Sequence, residues 1–124
     1  MFRYEFRAYY LLIGLFCFFC QPGSAQDQRV ADSLALIYNQ NEVAGIKKLE
    51  LLRDLSFNEK SDPDLAMEYA EELIRLSELQ NEQNFLYSGY LQKGFKHNLK
   101  GDSNKALSSF LKCVDIAQEL GDIS

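Results

Sequence analysis

Apolar residues recur along most of this chain at the three- and four-residue intervals of an amphipathic helix. In the last third of the chain they stand at offsets of +4, +7, +11 and +14 from the first, as Ala106, Phe110, Cys113, Ala117 and Leu120. Those offsets lie on one face of a helix with about 3.6 residues per turn. A second stretch, which begins at Ala66, repeats the spacing, and no run alternates apolar and polar residues long enough to predict a strand. The pattern therefore predicts an all-α protein.

Short breaks divide the pattern into five predicted helices, over residues 28–39, 42–58, 63–80, 83–99 and 103–120. Pro63 suits the first turn of the third helix, where its missing N–H is not needed, and either Asp62 or Ser61 can cap that turn. Gly101 suits the left-handed residue that ends the fourth helix. Because the connections are short, neighbouring helices are expected to run antiparallel, as a string of helical hairpins.

Two of these hairpins resemble each other at a separation of 40 residues. The segment DPDLAMEYAEELIRLSELQN aligns with DSNKALSSFLKCVDIAQELG, so that Ala66 matches Ala106 and Leu73 matches Cys113. A fixed period of a few tens of residues is the sequence signature of a solenoid. The two copies span residues 41–80 and 83–120.

The second copy resembles the tetratricopeptide repeat. Tyr90, Gly94 and His97 stand where that motif has an aromatic, a small and a second aromatic residue. Gly101-Asp102, Lys105-Ala106-Leu107 and Phe110 then match its turn and the start of its second helix. Lys93 and Ser103 depart from the usual leucine and aromatic residue, and no proline ends the repeat. The resemblance implies an α-solenoid of antiparallel helical hairpins, and it predicts that Gly94 faces Ala106, since a helical glycine is expected where two backbones approach closely.

Residues 1–25 have the features of a secretory signal peptide. Arg3 and Arg7 precede an apolar run over residues 9–20, and the small residues Gly23-Ser24-Ala25 follow, so cleavage is expected after Ala25. An apolar run of 12 residues is shorter than the roughly 20 that cross a bilayer. A lipoprotein anchored at Cys17 or Cys20 is the alternative, which the phenylalanine before each of these cysteines disfavours. The mature segment, residues 26–124, is therefore predicted to be exported, with no membrane insertion of its own.

Charge and chemistry narrow the possible functions. The chain has a formal charge of −5, and because residues 1–25 contribute +1, the mature segment carries −6. An acidic segment without basic runs argues against nucleic-acid binding. The mature segment has one histidine, His97, and one cysteine, Cys113, which is expected to be buried and unreactive on the apolar stripe. A catalytic zinc needs three protein ligands, so we expect no metal site, no catalytic residues and no cofactor.

The 40-residue step and the signal peptide are similar to the repeat regions of exported bacterial sensor proteins. In those proteins the repeats precede a membrane helix and a nucleotide-cyclase, histidine-kinase or DNA-binding domain. The resemblance implies two functions: a periplasmic or otherwise extracytoplasmic module that binds a protein, a peptide or a second copy, or the non-catalytic sensory input region of a larger membrane signalling enzyme. A small exported protein with a structural role is a third. Further repeats are expected after Ser124, since a solenoid needs about three.

The resemblance also implies which residues contact a partner, because the first helix of each hairpin lines the concave surface in this family. In the second copy the contact positions are Ser88, Leu91, Phe95, Asn98 and Leu99. Leu91 and Phe95 do not fit the family's clamp for a carboxyl terminus, so that ligand is not expected. Packing against a neighbouring repeat explains these apolar residues equally well.

Overall fold

The computed structural model describes residues 23–122, and side chains from residue 25 to residue 121. The described part is built from helices α1 (Gly23–Asn39), α2 (Ile46–Asn58), α3 (Pro63–Gln80), α4 (Gln83–Leu99) and α5 (Ser103–Asp122). No strand occurs within it, so the predicted all-α class is confirmed. Residues 1–22, which hold most of the predicted signal peptide, lie outside the described residues. None of the described helices is long and apolar enough to cross a membrane.

The predicted ends of α3 and α4 are correct, but the first two helices differ from the prediction. Helix α1 is already helical at Gly23, the first described residue, whereas its predicted start is residue 28, so Ser24 and Ala25 belong to the helix. Helix α2 begins at Ile46 rather than at residue 42. The reason is Gly45, whose φ of 66° and ψ of −142° are open to glycine but strained for residues with a Cβ. The apolar spacing near residue 42 therefore belongs to the connection.

The loop before α3 settles which residue caps that helix. The backbone N–H of Leu65 donates to the Asp62 carboxylate at 3.1 Å. The Ser61 hydroxyl instead donates to Glu59 at 2.8 Å. Gly101 has the predicted left-handed conformation, with φ of 80°, and the Asp102 carboxylate accepts from the backbone N–H of Lys105 at 3.2 Å. A side-chain acceptor at this place satisfies an N–H that has no partner within the helix.

Each described helix packs against the next one along the chain, and α2 also contacts α4. The backbones of no other pair among the described helices approach each other closely, although the Tyr38 ring of α1 meets the Tyr69 ring of α3 edge-on. The larger core lies between α2 and α3, where four leucines are fully buried against Tyr69: Leu49, Leu52, Leu55 and Leu73. A smaller cluster of Ile74, Leu86 and Ile116 joins α3, α4 and α5.

The buried face of α5 differs from the predicted stripe. The structure buries Ala106 and Cys113 as predicted, but it also buries Ser109 and Ile116, while Ala117 is exposed. Among the described helices, only α4 lies with its backbone close to α5, so only a narrow strip of the α5 surface is covered. Three large apolar side chains of α5 consequently stay exposed, and we call them the outer row: Leu107, Leu111 and Val114.

Helix α1 is tied to the connection between α2 and α3 by one side chain. The Gln28 amide donates to the Glu59 carboxylate at 3.1 Å, and its oxygen accepts from the backbone N–H groups of Lys60 and Ser61 at 2.9 Å and 2.8 Å. Burial raises the pKa of Glu59, but hydrogen bonds from Gln28, Ser61 and Asp62 outweigh it and hold that pKa below its ordinary value. The carboxylate therefore stays ionised and fixes the loop.

Candidate functional site

The five residues predicted to contact a partner all lie on α4, on the side opposite its core-facing residues. The spacing of Ser88, Leu91, Phe95, Asn98 and Leu99 places them along one face of that helix. Leu86, Gly89 and Gly94 are buried on the other side. Leu99 is 78% exposed and Phe95 is 48% exposed. Ser88 and Leu91 are half-buried, and Asn98 is exposed. We call this set the α4 face, and its role in binding stays a prediction.

Helix α2, which contacts α4, carries an exposed aromatic residue that sequence reasoning missed. Phe57 is exposed one residue before the end of α2, and the Lys60 ammonium lies 4.9 Å from the centre of its ring. An aromatic ring at an otherwise polar helical position is the signal that would have identified it. Exposed aromatic side chains are enriched where proteins contact each other, so Phe57 extends the set of candidate contacts to the neighbouring helix.

Phe110 of α5 packs against Phe95 of the α4 face, and its position differs from one prediction. Its ring meets Phe95 edge-on, with ring centres 5.5 Å apart. A Cβ added at Gly94 would lie 2.5 Å from the Phe110 ring, and the three nearest atoms all belong to that ring. Gly94 is thus a close-packing position, as predicted, but its nearest partner is Phe110 rather than Ala106. The aromatic ring needs more room than a methyl group, and the absence of a side chain at Gly94 provides it.

Cys113 is buried, as predicted, and its thiol donates to the carbonyl oxygen of Tyr87 at 3.6 Å. Burial raises the pKa of this thiol, so it is held in the less nucleophilic protonated form. His97 is half-buried. No group of three or more histidine, cysteine or carboxylate side chains that could hold a metal ion occurs among residues 23–122.

Lys96 is a buried charge on α4 that the sequence did not predict. It is only 5% exposed, and burial lowers the pKa of its ammonium group, with Lys60 adding to the effect and Glu59 opposing it. No hydrogen bond or ion pair to its ammonium group occurs among the described residues. Lys96 stands three residues before the end of α4, and its ammonium group is close enough to Lys60 and Glu59 to be influenced by both charges.

No protein-family model, curated protein or solved structure matches this chain significantly.

Proposed function

We propose that this chain is a non-catalytic protein-binding module whose helices form a tetratricopeptide-like solenoid, and that a peptide or helix of the partner binds the α4 face. The observation that carries the proposal is the exposure of Phe95 and Leu99 on one face of α4. Large apolar side chains that face solvent together are a feature of interaction surfaces. An apolar surface of this kind suits an amphipathic or extended segment of a partner.

The order of helix contacts supports the solenoid. In a stack of helical hairpins, each helix packs on its sequence neighbours and the first helices of successive hairpins meet in a common layer. The backbones of α2 and α4 approach each other in this way, whereas those of α3 and α5 do not. Phe57 of α2 and the α4 face then belong to the same layer of first helices, which gives a partner two adjacent helices to contact.

The proposal places this module outside the cytoplasm, on the basis of residues 1–25. Cleavage after Ala25 would leave Gln26 as the first residue, two positions before the Gln28 side chain that ties α1 to the α2–α3 connection. The intact mass of the secreted product checks this, and a product that retains Met1 would contradict it.

The test is a selection of binding peptides from a displayed library against the purified chain, followed by affinity measurements on one variant of the face. We expect Leu99→Asp to lower the affinity for the selected peptides about tenfold or more, which corresponds to about 1.4 kcal/mol of binding free energy. Leu99 is exposed, so the charge is expected to act on binding rather than on folding.

The matched control is Leu79→Asp. Leu79 is 70% exposed on α3, so it carries a similar side chain at similar exposure on another helix. Peptides that bind Leu99→Asp as tightly as the wild type, or that lose affinity equally with Leu79→Asp, would contradict the α4 face as the binding surface.

A further inference from the structure

A cleft of about 210 Å³ opens between α4 and α5, on a different side of α4 from the α4 face. Its lining comes from two helices and is rich in nitrogen and hydroxyl donors: Tyr90, Lys93, His97, Lys105, Ser108, Ser109 and Lys112. Three ammonium groups at one cleft stand out in a chain whose formal charge is −5. The concentration of positive charge is local, so the composition of the whole chain hides it.

The lysines of this cleft keep most of their capacity to donate hydrogen bonds. Lys93 lies 3.8 Å from Glu71, and Lys105 lies 3.6 Å from Asp102. Both distances exceed the 2.7–3.2 Å that is usual for a hydrogen bond, in contrast to Lys100, which contacts the Asp64 carboxylate directly. Lys112 makes no ion pair among the described residues. Glu71 and Asp102 thus reduce the positive charge at the cleft without occupying its donors.

The other lining groups suit an oxyanion. Ser109 is buried, and together with Ser108 it adds hydroxyl donors to the wall on α5. Tyr90 forms part of the opposite wall, where burial and the nearby Glu78 carboxylate raise the pKa of its hydroxyl. Three ammonium groups and two hydroxyls offer more donors than the two oxygens of a carboxylate can accept, but they match the three terminal oxygens and double charge of a phosphate monoester.

We propose that the cleft between α4 and α5 binds a doubly charged oxyanion of the phosphate class, either free or carried on a phosphorylated side chain of a partner. This site is separate from the α4 face, since Lys93 and His97 lie on another side of α4 than Phe95. It would give the module a second, charge-selective contact beside an apolar one.

The test is a titration of the ¹⁵N-labelled full chain, followed by the amide shifts of Ser108, Ser109 and Lys112. The probes are inorganic phosphate, phosphoserine and, at matched ionic strength, sodium acetate and sodium chloride. We expect saturable shifts with the two phosphate probes, with dissociation constants on the order of 1 mM, and only small, linear shifts with acetate and chloride. Tighter binding of phosphoserine would point to a phosphorylated partner, and tighter binding of inorganic phosphate to a free anion; both outcomes support the shared chemistry.

Variants separate a specific site from bulk charge. Lys112→Gln is expected to lower the affinity for phosphate about fivefold or more, while Lys112→Arg keeps most of that affinity because it keeps the charge. Lys47→Gln makes the same change in net charge at an exposed position of α2 and should leave the affinity for phosphate unchanged. The proposal is overturned if phosphate gives no saturable shift, if acetate binds equally well, or if Lys47→Gln weakens phosphate as much as Lys112→Gln.

Discussion

Lys96 shows at the scale of a single residue how a charge is held in a small helical core. Leu55 and Lys96 each stand three residues before the end of their helix, α2 and α4, and both are buried. The aliphatic part of a lysine can fill the space of a leucine, but its ammonium group loses hydration there. Since Glu59 is already hydrogen-bonded by Gln28, Ser61 and Asp62, it does not depend on Lys96 for a partner.

We predict that Lys96→Met stabilises the protein by about 1 kcal/mol at pH 7, because it keeps the packing and removes a poorly solvated charge. Urea denaturation measures the change. The pKa of Lys96 is lowered by folding, so the charged form is disfavoured in the native state. The stabilisation by Lys96→Met is therefore largest below that lowered pKa, and it decreases as the pH rises towards the ordinary pKa of lysine.

Lys47→Met is the control for this prediction, because Lys47 is exposed on α2 and its substitution should change stability little. If Lys96→Met instead destabilises the protein, the ammonium group makes a favourable contact that outweighs its desolvation. The interpretation that the Lys96 charge destabilises the folded state is then wrong.

At the scale of the elements, the pairing of α4 with α5 depends on one position without a side chain. Gly94 lets the Phe110 ring lie against the α4 backbone, and the same ring then supports Phe95 from the side. The glycine costs about 1 kcal/mol of helix propensity relative to alanine, so its presence in mid-helix is explained by the ring that it accommodates. The hairpin and the α4 face thus share one packing contact.

We predict that Gly94→Ala destabilises the protein by about 1–3 kcal/mol, since the added methyl group would overlap the Phe110 ring. Gly94→Ala/Phe110→Leu should recover part of the loss, because the smaller side chain relieves the overlap. Thermal denaturation of both variants measures the effect.

Gly121→Ala serves as the matched control for that prediction, because a Cβ at Gly121 would meet nothing within 4 Å. Equal stability of Gly94→Ala and the wild type would show that the ring moves aside at little cost, and it would remove the packing argument for this glycine.

At the scale of the whole molecule, the outer row of α5 is uncovered although two of the three equivalent positions of α3 are buried. Leu107 and Val114 correspond, 40 residues on, to Met67 and Ile74. Met67 and Ile74 are buried, and Ile74 packs against Leu86 and Gly89 of α4. On α3, apolar residues at this spacing pack against the following helix, α4. On α5, no described helix packs against the outer row.

We predict that residues 26–124, in isolation, self-associate through the outer row, because an apolar row of this kind gains free energy when it leaves water. Sedimentation equilibrium should show species larger than a monomer, and Leu111→Glu should shift them to monomer. Leu79→Glu is the control, since it places the same charge at an exposed leucine of α3. A wild-type monomer at about 100 μM would contradict the prediction.

The sequence by itself determined the class of fold and most helix ends. Helical periodicity, Pro63 and Gly101 fixed the all-α class and the limits of α3 and α4, because these depend on local backbone preferences and on which residues are apolar. It also identified Gly94 as a close-packing position and Cys113 as buried. The five residues of the α4 face, which the resemblance implied, all lie on α4, and their role in binding stays a prediction.

Only the tertiary structure decided the partners and the exposure of those residues. That Gly94 meets Phe110, that Gln28 reaches Glu59 across 31 positions, and that Lys93, His97 and Lys112 border one cleft are contacts between helices, which spacing within a helix does not specify. The burial of Ile116 in place of Ala117, and the exposure of the outer row, follow from how many neighbours cover α5. Apolar periodicity shows that a helix has a face to bury, but the number and placement of its neighbours determine how much of that face leaves water.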